Sequence, residues 1–386
     1  MDLLVENARG YFDLARVPAN ARELYPLQKA DAASLPSTVS GGERSLLPWK
    51  GLPSVGKRIV SQATPRDRIR QVTGEQAKDP IRAYASIEHA ASPSERAALL
   101  VAELERLGAF DRKLLAFVLP IAPGTVPRPL VGGLEYLMGG DVAIGMAQYA
   151  TRGALGSVHK VPEAAELTRE VIRLVNHTFA EREARGLANP EFRLYSVSLG
   201  AWSSQDAFLP PRKEQKVNPM RLATEPASEL HTDGNMWFGR PGPSKLHKLA
   251  SRAASREDYS EFDSVDSLRD SGSSVHSVSV ALPNDLVPKL NVLRRPDNAA
   301  EGERFIPLVT FLSQVRHVPA MAKFHPARYV DGGNSHDYRG LYVDAVSIGL
   351  GTGHSQRELA AIREQVKLEE LVYGTQGQER RAAAKK

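Results

Sequence analysis

The 386-residue sequence contains no cysteine, which excludes disulfides, thiol catalysis and cysteine metal sites. It also lacks a long apolar run. The longest, residues 114–122, is broken by Pro120 and falls short of the roughly 18 to 20 residues that a membrane-spanning helix needs. The opening MDLLVENARG has neither the basic start nor the apolar core of a secretory leader, so a cytoplasmic location is expected. Aromatic residues are few, at 6%, and none interleave with the basic clusters at Arg212, Lys213 and Lys216, at Arg294 and Arg295, and over 380–386. Nucleic-acid surfaces need aromatic stacking platforms, so the net charge of +5 reads as solvated surface and no nucleic-acid partner is expected. The basic tail leaves peripheral membrane contact open.

What remains is enough chain for one large α/β domain with insertions, or for two domains. Residues 1–50 show no sustained periodicity and are rich in Ser, Gly and Pro from Ala32 to Gly51, as in an arm or linker, with one short helix near 7–14. Gly51, Gly56 and Lys57 have the spacing of a phosphate loop. Arg58 stands where a magnesium-binding Ser or Thr belongs, and no strand precedes it, so that reading fails.

From Asp79 strand and helix patterns alternate. Strands are expected at 81–87, 114–119, 142–149, from Phe192, at 234–239 and at 275–282. Helices are expected at 95–107 behind a Ser92 or Ser94 cap, at 130–138, 163–185, 307–318, 338–348 and 356–371. The apolar stripe Leu167, Val171, Leu174 and Val175 makes the helix over 163–185 the clearest. This alternation predicts a mostly parallel, doubly wound sheet flanked by helices, with reactive groups at the carboxyl ends of the strands. The polar stretches 210–232 and 255–274 read as insertions, surface loops by preference and lids as the alternative. The catalytic domain is thus placed at 51–372, with a disordered basic tail over 373–386.

The chemistry centres on FRLYSVSLGAWSSQDAF, residues 192–208, where a strand pattern passes through Ser198 into a helix pattern. A strand turning sharply into a helix at a serine is the nucleophile elbow of α/β-hydrolases. The turn needs small residues two before and two after the serine; Gly200 meets this and Ser196 less well. Such a serine needs a base, and an acid to orient the base, in the chain order Ser, Asp or Glu, His. Asp285 follows the 275–282 strand, and His336 sits in the glycine-rich loop GGNSH before a helix. His325 and His354 are rival bases, and His317 falls in an apolar helix. The spacing of His325, Asp331, His336 and Asp337 matches no zinc pattern. Ser203 and Ser204 read as ordinary helix residues. An oxyanion hole is expected from the backbone N–H of Leu199 and of Ile121 or Ala122, because Pro120 and Pro123 have no N–H to give.

From Ser54 to the helix after His336 the sequence resembles the bacterial α/β-hydrolase family whose catalytic domain commonly follows an N-terminal membrane-spanning region. DPIRAYASIEHA, LGAFDRKLL, LEYLMGGDVAIGMAQY, LYSVSLGAWSSQDAF, DGNMWFGRPGPSKL, RFIPLVTFLSQV and HDYRGLYVDAV carry the likeness. It implies the α/β-hydrolase fold, with Ser198 as nucleophile, Asp285 as acid, His336 as base, and no cofactor or metal. Ser196 replaces the family's glycine, PIAPGT replaces a Gly- and Thr-rich loop, the membrane-spanning region is missing, and 210–232 is expanded. The implied activity is esterase or lipase chemistry on a small-molecule or lipid ester, though the site residues equally allow a thioester or amide. The alternative is a catalytically silent scaffold of the same fold, which Ser196 favours.

Overall fold

In a computed structural model of the protein, residues 31–74, 76–209, 230–242, 259–271, 275–283, 285 and 337–383 are described, 374–383 through their backbone alone. Within them seven strands form one sheet: β1 (Ile81–Ala85), β2 (Leu114–Leu119), β3 (Val142–Ala147), β4 (Glu191–Val197), β5 (Gly234–Phe238), β6 (Tyr259–Phe262) and β7 (Ser277–Val280). The order is β1-β3-β2-β4-β5-β7-β6, and every pairing is parallel. The helices are α1 (Ser54–Ser61), α2 (Arg66–Thr73), α3 (Pro93–Arg106), α4 (Arg128–Leu137), α5 (Val161–Ala184), α6 (Leu199–Ala207), α7 (Val265–Asp270), α8 (Tyr342–Leu350) and α9 (Gln356–Ala383). This is the expected α/β-hydrolase architecture.

β2 is apolar throughout because both its faces are covered. Along β2, Leu115, Phe117 and Leu119 enter one core layer with Leu100 and Leu104 of α3 and Leu167 and Val171 of α5. Leu114, Ala116 and Val118 enter the other, with Leu130 and Leu134 of α4, Val346 of α8 and Ile362 of α9. That is the period-2 alternation of a pleated strand. Ser92 caps α3 by accepting from the Glu95 N–H at 3.2 Å, with Pro93 at the first helical position; such a cap contributes about 1 kcal/mol.

Parallel pairing places every carboxyl strand end on one edge of the sheet. The connection from β2 runs outward to β3, while that from β4 runs the other way to β5. The adjacent ends of β2 and β4 therefore flank a topological switch point, where open α/β sheets bind ligands.

Several expectations are corrected. Residues 32–50 are not a loose arm or linker. Val39 bridges Arg82, the Ser40 N–H donates to the Arg82 carbonyl at 2.9 Å, and the Tyr84 N–H donates to Ser40 Oγ at 3.0 Å, so this stretch covers the free edge of β1. Leu47 is wholly buried beyond it. The stretch 255–274, read by preference as a loop, contains β6 and α7. Pairing of Tyr259 to Phe262 against Ser277 to Val280 makes the strand, not its polar composition. The 373–386 stretch, read as a disordered tail, continues α9 to Ala383. The 338–348 helix starts later, at Tyr342, because Tyr338 is bonded to Asp285 and Arg339 to Glu370. The helices expected at 7–14 and 307–318, and residues 210–229 of the insertion expected at 210–232, lie outside the described residues.

One pair inside the core has no trace in the hydrophobic pattern. Arg82 on β1 and Glu135 on α4 are both fully buried and meet in a two-pronged ion pair at 2.5 and 2.7 Å. Arg82 also donates to the Ile59 carbonyl at 2.5 Å, and Glu135 accepts from the Thr64 N–H at 3.1 Å. The pair ties α1 and the segment after it to the sheet.

Candidate active site

β4 ends at Val197, α6 begins at Leu199, and Ser198 is the whole turn between them. Its backbone sits at φ 55°, ψ −124°, and among the described residues it is the only non-glycine residue with positive φ. A serine held there carries about 1–3 kcal/mol of strain, which surrounding bonds must offset. The Ser198 N–H donates to the Phe238 carbonyl at 2.8 Å, and the Ser198 carbonyl accepts from Ala201 and Trp202 at 2.9 and 3.2 Å. The turn is pinned on both sides.

Gly200 shows why this turn tolerates no side chain. A Cβ there would stand 2.5 Å from the Pro120 carbonyl oxygen and 2.8 Å from that of Leu119. The start of α6 thus lies directly against the end of β2 and the loop after it. In that loop the Ile121 N–H donates to the Thr125 carbonyl at 2.9 Å, and Gly124 returns a bond to the Ile121 carbonyl at 2.8 Å. Tyr84 donates from below to the Gly124 carbonyl at 2.8 Å. Of the two N–H groups expected to serve an oxyanion, that of Ile121 is already engaged. Ala122 has no backbone acceptor among the described residues. Leu199, as the first residue of α6, carries an N–H that its own helix cannot satisfy.

Ser196 is accommodated. Its hydroxyl is buried and lies 2.7 Å from the Ser204 hydroxyl on α6, which also accepts from Trp237 Nε1 at 2.9 Å. Ser204, read from sequence as an ordinary helix residue, is the hub of this contact. Ser203 does behave as one, donating to the Leu199 carbonyl at 2.9 Å.

Asp285 follows β7 in a tight turn, its N–H on the Leu282 carbonyl at 3.0 Å, and is completely buried. The Tyr338 hydroxyl donates to Asp285 Oδ2 at 2.7 Å and accepts from the Leu282 N–H at 3.1 Å. Sequence reading missed Tyr338; its only signal there is its place two residues after His336. His336, the rival His325, and His317 lie outside the described residues. His354 is placed elsewhere. Its Nε2 lies 3.0 Å from the Leu137 carbonyl at the far end of α4, on the amino edge of the sheet, away from Ser198.

A protein-family model described as an alpha/beta-hydrolase family matches residues 81–281, from β1 to just beyond β7, which is more than half of the chain. The chain belongs to this family. Two solved structures show a looser likeness to the hydrolase. One is a cutinase-like protein from Cryptococcus sp., with 14% identity, 54% of this chain and 89% of that chain covered, and a TM-score of 0.27. The other is acetyl xylan esterase in an iodinated complex, with 11% identity, 56% and 98% covered, and a TM-score of 0.28. A comparison with curated proteins gives no match.

Among the described residues no group of three or more His, Asp or Glu side chains can hold a metal ion, and no helix is long and apolar enough to cross a membrane. The phosphate-loop spacing dissolves: Gly56 and Lys57 lie inside α1, and among the described residues no strand precedes Gly51. Gly51 and Gly56 let the chain pass close to His89 and Tyr84.

Proposed function

We propose that this α/β-hydrolase is a serine hydrolase of carboxylic esters, working through an acyl-enzyme on Ser198. The observation that carries the reading is the strained backbone of Ser198 at the strand-to-helix turn, placed at the switch point between β2 and β4. Strain of this kind clusters where it aims a reactive group.

In the proposed cycle His336 takes the Ser198 proton as Oγ attacks the ester carbonyl, and Asp285 stabilises the imidazolium that forms. The N–H groups of Leu199 and Ala122 receive the developing oxyanion; Ile121 gives way to Ala122 because its own N–H is bonded to Thr125. Collapse breaks the bond to the alcohol, which leaves with the proton from His336. Water, deprotonated by the same base, then frees the acid and restores Ser198. Chain connectivity supports His336 as the base, since Tyr338 stands two residues after it and bonds Asp285 directly. The silent-scaffold alternative rests on Ser196; the bond between its hydroxyl and that of Ser204 supports an elbow that accommodates it.

The test is labelling with a fluorophosphonate, read by peptide mass spectrometry, beside Ser198→Ala. Labelling at Ser198 that disappears in the variant is expected, together with turnover of p-nitrophenyl esters. Folded wild-type protein that takes no label would end this reading.

A further inference from the structure

Tyr338 occupies a position that the triad alone does not explain. Its hydroxyl is used in both directions: it accepts from the Leu282 N–H and donates to Asp285 Oδ2. An amide N–H can only donate, so of these two partners it is the carboxylate that takes the phenol proton. The ring packs edge-on to Phe238 at 6.2 Å, and the carbonyl of that same Phe238 holds the Ser198 N–H. Arg339 beside it is clamped to Asp337 at 2.6 Å and to Glu370 of α9 at 2.9 Å, which fixes the backbone around Tyr338.

We propose that Tyr338 is a positioning residue for the reaction: by holding Oδ2 of Asp285 it presents the other carboxylate oxygen to the histidine base. The inference rests on the assignment of Ser198, Asp285 and His336 made above. Burial, and then the Asp285 carboxylate, drive the Tyr338 pKa far above that of an ordinary phenol, so the donor keeps its proton throughout the working range. Among the described residues, the titratable groups that bear on it are Asp285 from the turn after β7 and Tyr342 from α8, and β5 presents the apolar Phe238.

A donor to a carboxylate spreads its charge and lowers its basicity. Without the phenol the carboxylate stabilises the imidazolium more strongly, so the histidine stays protonated to higher pH. Tyr338→Phe keeps the ring and removes only this donor. With p-nitrophenyl ester substrate, we expect kcat to fall about tenfold with KM unchanged, and the acid limb of kcat/KM to move up by about half a pH unit. Replacing Tyr338 with a ring-fluorinated tyrosine makes the phenol a stronger donor and should move the limb down. That arm also covers the case in which the phenylalanine variant does not fold. A merely structural role would lower the unfolding midpoint and leave the limb in place. Wild-type protein that labels at Ser198, with an acid limb unmoved in either variant, overturns the role of Tyr338 alone. Absence of labelling in folded wild type overturns both readings.

Discussion

Substitution of Gly200 by alanine tests the elbow more sharply than removal of the serine, because it leaves every proposed reacting group in place. The added Cβ would meet two backbone oxygens, of Pro120 at 2.5 Å and of Leu119 at 2.8 Å, and neither is the tip of a side chain that can swing aside. Ordinary contact between such atoms begins near 3.4 Å, so the start of α6 and the end of β2 must part by about 0.9 Å. Overpacking of this kind costs about 1–3 kcal/mol of stability. The larger consequence is kinetic. The parting separates the Leu199 N–H from the 120–125 loop, and a misplacement of about 1 Å costs on the order of a hundredfold in rate. Turnover of a p-nitrophenyl ester and urea unfolding should be compared for wild type, Gly200→Ala and Gly153→Ala. Gly153 has open space around its Cβ position and serves as the control. Wild-type turnover and a wild-type midpoint in Gly200→Ala would refute the close approach as a determinant of the site.

Two further outcomes concern stability. Glu135→Ala leaves the Arg82 guanidinium buried without its partner and should cost about 3–5 kcal/mol in urea unfolding. The double change Arg82→Met with Glu135→Met should recover most of this, less the cost of stranding the Thr64 N–H and the Ile59 carbonyl. Burial raises the pKa of Tyr84, Tyr149, Tyr195 and Tyr338, and that of Tyr259 to about 12, so the folded state holds these protons longer than the unfolded chain. The stability they lend is whole below pH ~10 and is lost as pH rises through about 12 and beyond. Tyrosinate absorbance should therefore appear together with loss of helical circular dichroism; a smooth rise in the folded protein would contradict the burial.

The parts of the fold that sequence alone revealed are those whose signal is local. β2 and β3 are unbroken apolar runs, and α5 repeats its buried face in Leu167, Val171 and Val175. Ser198 was legible for the same reason, since a strand pattern, a serine, a glycine and a helix pattern are contiguous. What escaped is held by partners far along the chain. Residues 38–40 dock on β1 through backbone bonds that leave no periodicity. β6 exists because β7 lies beside it. Arg82 breaks an apolar strand and finds its answer in Glu135, and Tyr338 finds its own in Asp285. Nor does sequence reveal which N–H of the 120–125 loop is spoken for, because the choice between Ile121 and Ala122 depends on how that loop closes on Thr125.

The cover over β1 sets where this protein can be cut. The family match opens at Ile81, yet the Arg82 N–H and carbonyl already have their partners in Thr38 and Ser40. A chain trimmed to the family boundary would carry a bare parallel edge whose unpaired backbone is a template for the same edge of another copy. Such a fragment would tend to precipitate as it folds. The unit matched as a family and the unit whose sheet edge is covered begin at different residues.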